Sequence, residues 1–239
     1  MDPSQLAAVA IVALAGLVRG TTGFGGAMLM TPILSVLIGP VPAVVTALIL
    51  ETAAALVMFP DAIPKVRWRM LSYLTVPAIL TVPLGGYVLL TVDPAIARKM
   101  IAAVVVIFSA MLLLGLRYHG SPRPATSVAL GSVVGALLGA TSVGAPPVIL
   151  YLLSGPDPIA VIRANLTVFV TAISVLGVVM LATAGAVTWH VGAFAALLTI
   201  PFLLATWLGG KLFARLSDHH VRRLALILML GVGLTSLFL

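Results

Sequence analysis

The phrase Gly16-Leu-Val-Arg-Gly20-Thr-Thr-Gly-Phe-Gly25-Gly26-Ala-Met is written a second time half a chain later, as Gly135-Ala-Leu-Leu-Gly139-Ala-Thr-Ser-Val-Gly144-Ala145-Pro-Pro. The echo continues downstream. Gly39-Pro-Val-Pro42 answers Gly155-Pro-Asp-Pro158, Trp68 answers Trp189, Pro77 answers Pro201, Gly85-Gly86 answers Gly209-Gly210, and Arg98 answers Arg223. A duplicated chain of this kind is expected to place its working site between the halves. The first repeat is taken as residues 1–119, the second as 125–239, and 120–124 as the linker.

Composition sets the solvent. Hydrophobic residues make up 62% of the 239, charged residues 8%, and the mean hydropathy is +1.25, well beyond a soluble domain. Apolar runs at 43–60, 70–92, 100–116, 166–187, 191–210 and 224–239 approach or reach the roughly 20 residues that cross hydrocarbon as a helix. The period-two alternation of a membrane barrel is absent. These features predict an all-α polytopic membrane protein. The net charge of +7 sits in short loops between the runs, which reads as a topology signal and not as a nucleic-acid surface. With no cysteine, disulfides and thiolate metal ligands are excluded. Residues 5–18 mimic the core of a signal peptide, with Ala13-Leu-Ala15 resembling a cleavage site. No basic n-region precedes them and cleavage would remove part of the first repeat, so the segment is kept.

The quoted phrase interrupts an apolar segment in each half, at Thr21 to Gly26 within about 5–38 and at Thr141 to Pro147 within about 125–153. An unbroken helix over 5–38 would be about 51 Å long, against roughly 30 Å of hydrocarbon. A re-entrant broken-helix hairpin fits better, and irregular backbone at membrane depth is tolerated where it is buried in protein or lines a polar cavity. Loop charge supports this reading. With two hairpins and three full crossings per half, Lys65, Arg67, Arg69, Arg117, Arg123, Lys211, Arg215, Arg222 and Arg223 share one side, opposed chiefly by Arg98 and Lys99, and the basic side is cytoplasmic. Three crossings per half also make the two repeats inverted.

At each break one half-helix ends and another begins, leaving unpaired N–H groups and a positive dipole end. Gly23, Gly25, Gly26 and Gly144 admit close approach of a ligand, Pro146 and Pro147 suit a helix start, and Thr21, Thr22, Thr141 and Ser142 add hydroxyl donors. Two such tips meeting would form a cup for an oxyanion. Gly16 and Gly20, like Gly135 and Gly139, have the spacing of close helix packing. Arg19 falls beside the first break, either as fixed positive charge for the cavity or snorkelling to an interface. Glu51 is the one carboxylate well inside an apolar run, either a group that couples transport to protons or a neutral hydrogen-bonded one. Arg163 reads as an interfacial charge, and Trp68 and Trp189 as interfacial anchors. His119, His190 and the adjacent His219 and His220 lack ligand spacing, so no metal site or cofactor is expected. No nucleophile elbow, P-loop or zincin signature points to an enzyme.

These residues also carry a family resemblance. Through -Gly20-Thr-Thr-Gly-Phe-Gly-Gly26-, -Thr31-Pro-Ile-Leu-, -Gly139-Ala-Thr-Ser-Val-Gly-Ala-Pro-Pro147- and -Arg163-Ala-Asn-Leu-, the chain resembles the TauE/SafE sulfite exporter family, also described as the toluene-sulfonate uptake permease family. The resemblance implies a secondary transporter for sulfite or a short organosulfonate such as sulfoacetate, working by alternating access. It carries the substrate site onto Thr22, Gly23, Gly25, Gly26, Thr141, Ser142 and Gly144. Thr21, Phe24, Val143, Ala145 and Asn165 complete the candidate set. Two rivals remain, an anion channel and a non-transporting scaffold for an enzyme of sulfur metabolism. The partners expected are the anion and membrane lipid, with a homodimer as one candidate assembly. The expected location is the inner membrane of a bacterium or archaeon.

Overall fold

The computed structural model of the protein describes residues 3–116, 118, 120, 123–213 and 218–238. Arg117, His119 and Arg215 lie outside the described residues, as do the side chains of His219, His220 and Arg222. The described residues form α-helices throughout, joined by short connections and one 3-10 turn at Ile63–Lys65.

In the first half, α1 (Pro3–Thr22) and α2 (Gly26–Ile38) form the broken segment, followed by α3 (Pro40–Ala62), α4 (Trp68–Thr91) and α5 (Pro94–Leu113). In the second, α6 (Pro124–Thr141) and α7 (Ala145–Leu152) precede α8 (Ile159–Thr183), α9 (Trp189–Phe213) and α10 (Asp218–Phe238). Local chemistry sets the boundaries. Gly39 ends α2 and Pro40 opens α3, the usual asymmetry of glycine after and proline at the start of a helix. The Asp93 side chain accepts the Ala95 N–H at 2.8 Å and caps α5. Seven helices (α1, α3, α4, α5, α6, α8 and α9) are long and apolar enough to cross a membrane, which makes this a multi-pass membrane protein. The apolar run expected at 224–239 falls in α10, whose described apolar part, Arg223–Phe238, is shorter.

Both broken segments double back. The Tyr151 hydroxyl, near the end of α7, accepts the Arg123 N–H at 3.1 Å and meets Ser127 Oγ at 2.8 Å and Thr126 Oγ1 at 2.9 Å, so α7 returns beside the start of α6. For α2 the argument runs through its neighbours. α3 lies antiparallel to α8, since Gly177 packs on Leu48 while Asn165 reaches back to Arg67. α1 lies parallel to α9, with Gly16 against Phe202 and Ala205 and Gly20 against Thr206 and Gly210. With the short turn from α8 to α9 reversing the chain, α1 and α3 point the same way, and α2 returns between them.

The glycines singled out for packing interlock the halves. Gly16 and Gly20 of α1 press on α9, and Gly135 and Gly139 of α6 press on α4 beside Ala78 and Val82. A Cβ at Gly20 would stand 2.8 Å from Gly210 N, and one at Gly139 would stand 2.9 Å from Gly86 N. Each hairpin therefore packs on a helix of the opposite half, in the same register. The fully buried Phe169, Phe202, Met28, Met30 and Leu48 fill the interior around α2, α3, α8 and α9. Trp68 and Trp189 are exposed first residues of α4 and α9, where interfacial anchors belong.

Candidate functional site

The two breaks meet. Thr31 Oγ1, one turn into α2, lies 2.7 Å from Ser142 Oγ at the end of α6. A small chamber of about 20 Å³ between the tips is lined by Gly25, Glu51, Ser142, Gly144, Ala145 and Ser174, among others. Glu51 sits halfway along α3 and Ser174 past the middle of α8, which puts the chamber deep in the helix bundle. A volume of this size holds about one water molecule and no oxyanion.

The tips begin alike and then diverge. Gly23 (φ +79°) and Ser142 (φ +60°), which correspond in the repeat, both end their helix in the left-handed region. A left-handed serine costs about 1–2 kcal/mol, and its hydroxyl reaches Thr31 across the interface between hairpins. Next comes Gly25 at φ +90° against Gly144 at φ −133°, so the two half-helix starts differ.

The first tip already holds an anion of its own. Glu51 Oε1 accepts the Ala27 N–H of α2 at 2.9 Å, the position a bound oxyanion would take at a helix N-terminus. Its other oxygen pairs with Arg19. Arg19 is 6% and Glu51 5% exposed, so Arg19 does not snorkel to an interface. Burying either charge alone is costly, and pairing them at the dipole end lowers that cost. Gly26 is required here because a Cβ would lie 2.6 Å from Glu51 Oε1.

The hydroxyls expected to face a ligand as donors mostly turn inward. Thr21 Oγ1 donates to the Val18 carbonyl at 3.0 Å, Thr22 Oγ1 to the same carbonyl at 2.8 Å, and Thr141 Oγ1 to the Leu137 carbonyl at 2.7 Å. Each bonds back one turn to a carbonyl of its own helix, a common placement of a threonine hydroxyl within a helix. Their oxygens then accept the Phe24 and Val143 N–H groups at 3.3 and 3.2 Å. The cup of hydroxyl donors is therefore already committed to the helix ends.

A second, larger cavity of about 620 Å³ lies beside the first tip, within the usual range of small-molecule sites. Thr21, Thr22, Gly23 and Phe24 line it, with Met58, Leu166 and Trp207 among its apolar walls. Its charged lining residues are Arg19, Arg163 and Lys211, with no carboxylate among the described ones. Lys211 Nζ sits 3.6 Å from the centre of the Trp207 ring, a cation–π contact that holds the ammonium in place. Arg19 is the one described residue that lines both cavities.

Asn165 is not part of this arrangement. At 1% exposure, its Oδ1 accepts the Arg67 N–H at 3.0 Å, and it lines neither cavity around the tips. The first turns of α8 lie against the α3–α4 connection, where an unpaired backbone N–H needs an acceptor. Arg163, read as an interfacial charge, is exposed and lines the larger cavity. Among the described residues no group of three or more His, Asp or Glu could hold a metal.

The described fold is that of a polytopic all-α membrane protein with a broken helical hairpin in each half. The family model of the sulfite exporter TauE/SafE matches residues 8–236, and the chain belongs to that family. No curated protein and no solved structure gives a significant match.

Proposed function

We propose that the protein is a secondary carrier for a small sulfur-containing anion, sulfite or a short organosulfonate, in the plasma membrane of a bacterium or archaeon. The halves act as inverted repeats that rock against each other, each with its own hairpin docked on the other. The observation that carries this reading is Arg19, a buried cation standing between a spacious cationic cavity and a small chamber at the meeting of two half-helix tips.

The larger cavity is walled by the later parts of α3 and α9 and the start of α8, so it faces the end of the bundle that carries Lys65, Arg67, Arg69 and Arg123. Charge bias makes that end the cytoplasmic one in this reading, with the cavity as the inward-facing entrance. An anion entering from there is drawn by Lys211 and Arg163 and ends at Arg19. It competes with the Glu51 carboxylate for the guanidinium. Glu51, displaced from Arg19 by the anion, is then the group through which transport couples to protons. Separation of the tips, with loss of the Thr31–Ser142 bond, then opens the path to the other side. An inside-negative potential favours export by roughly 2.3 kcal/mol per charge per 100 mV, while uptake needs the coupled proton.

Flux of sulfite and of sulfoacetate into liposomes containing the purified protein tests this reading. Saturable flux that responds to an imposed pH gradient is the expected outcome; a current that rises linearly with concentration means a channel, and no flux from folded protein returns the scaffold reading. Replacing Arg163 and Lys211 together by glutamine is expected to raise KM roughly tenfold at low salt, with little change in kcat. That deficit should shrink as ionic strength rises, because the two charges act by steering. Ser142→Ala removes the inter-tip bond at its strained residue. It is expected to raise turnover with binding almost unchanged, measured as kcat and KM in the same flux assay.

A further inference from the structure

A second basic recess lies at the same end of the molecule, away from the tips. α4 and α6 run side by side in one direction, and their starts are level. Gly131 abuts Leu74 and Gly135 abuts Ala78, so a constant offset sets Pro124 beside Arg67. Between the two starts is a cavity of about 480 Å³ lined by Arg67, Trp68, Arg69, Tyr73, Arg123 and Ser127, together with Met70 and Pro124. Three arginines thus line one recess, with no carboxylate among its lining residues. Neither helix carries an acidic residue in its first turn, and no side chain of Arg67 caps α4. Two positive dipole ends therefore add to the arginines.

The recess is held in shape from behind. Arg67 pairs with Asp157 at 2.6 Å, and its N–H donates to Asn165. The Arg123 N–H donates to the Tyr151 hydroxyl. These bonds fix the backbone and engage Arg67, and the exposed Arg69 and Arg123 side chains flank the opening. Below the recess, α4 presents an exposed apolar stripe along one face, through Tyr73, Val76, Leu80, Leu84 and Tyr87. A soluble anion has no use for such a stripe, whereas a lipid has a charged head at the interface and chains that run down the helix.

We propose that this recess binds the phosphate of an anionic phospholipid. Arg69 and Arg123 hold the headgroup, Trp68 and Tyr73 stand at the interface, and the acyl chains lie on the α4 stripe. Basic pockets between membrane helices at the cytoplasmic side are suited to such headgroups, and this one joins a helix of the first half to the hairpin of the second. A bound lipid would brace that junction.

Tryptophan quenching tests the proposal. In a Trp189→Phe/Trp207→Phe background Trp68 is the remaining tryptophan, and its emission is followed in mixed micelles containing brominated phosphatidylglycerol or brominated phosphatidylcholine. Half-maximal quenching is expected at a roughly 30-fold lower mole fraction of the anionic lipid, the effect of two arginines at the membrane surface. Arg69→Gln/Arg123→Gln should remove the difference while the helical circular dichroism and thermal melt stay unchanged. Equal quenching by the two lipids, or a preference that survives the double substitution, overturns the proposal. Reversal of quenching by low-millimolar inorganic phosphate also overturns it, because the recess would then take a soluble anion.

Discussion

Exchanging Arg19 and Glu51 together for glutamine is expected to leave a folded protein whose flux falls by at least ~100-fold, about 2.7 kcal/mol of lost anion stabilisation. A charge-assisted hydrogen bond in a dry site contributes about 1.5–3 kcal/mol, so loss of one guanidinium accounts for an effect of this size. The double exchange is the informative one. Removing Arg19 alone leaves the Glu51 carboxylate buried and unpaired, which costs about 3–5 kcal/mol and threatens the fold. In the pair variant a neutral amide still accepts the Ala27 N–H, so the start of α2 keeps its partner. Glu51→Gln alone should behave differently again. It also leaves Arg19 without its carboxylate, at a similar cost to the fold, and in the folded fraction it removes the resident competitor, so KM falls, turnover falls with it, and the pH dependence of flux flattens. Proteoliposome flux across a pH series, beside a thermal melt of each variant, separates these outcomes. A double variant with wild-type flux removes the pair from the transport path.

The second large effect falls on the interlocked hairpins. Gly20→Val and Gly139→Val are each expected to lower the melting temperature by on the order of 5–10 °C, and by similar amounts. Added bulk in a packed interface costs about 1–3 kcal/mol or more, and each kcal/mol moves a domain of this size by about 2–4 °C. The Cβ of either substitution lands on backbone, which does not give way as a side chain does. Gly192→Ala is the control, because nothing lies within 4 Å of its added carbon. Similar losses at residues 20 and 139 follow from the shared register, α1 on α9 and α6 on α4. A loss at only one of them means that the second hairpin is held elsewhere.

The breaks were legible in the sequence because glycine, proline and hydroxyl residues interrupt apolar runs at corresponding places, and the structure puts them at Gly23–Gly25 and Ser142–Gly144. The packing role of Gly16, Gly20, Gly135 and Gly139 was legible for the same reason, since small residues four apart make one helix stripe. What the sequence concealed is partnership over distance. Arg19 and Glu51 read separately as a lone cation and a lone carboxylate in apolar runs, and each kept two alternatives open. A signal for their pairing was present, because a single acid and a single base forced into one dry interior lower their burial cost by meeting. The threonines at the tips misled in the other direction. Hydroxyls beside a break look like ligand donors, but Thr21, Thr22 and Thr141 bond back one turn to carbonyls of their own helices, as threonines within helices commonly do. Asn165 was drawn into the site by its position early in the helix after the second hairpin, whereas its side chain accepts the Arg67 N–H at the α3–α4 connection. The cavity lining from Met58, Trp207 and Lys211 had no local signature, since it comes from helices far apart in the chain.

The chain contains no cysteine, so a single engineered thiol reports without interference, and substrate protection of Met58→Cys in the larger cavity is the most direct test of an anion bound at Arg19. A charged, membrane-impermeant maleimide applied from the basic side should label this thiol, and sulfoacetate should slow the labelling in the otherwise native protein but not beside Arg19→Gln/Glu51→Gln. Labelling from that side at a rate no transported anion changes, at concentrations that saturate flux, would contradict a binding site there.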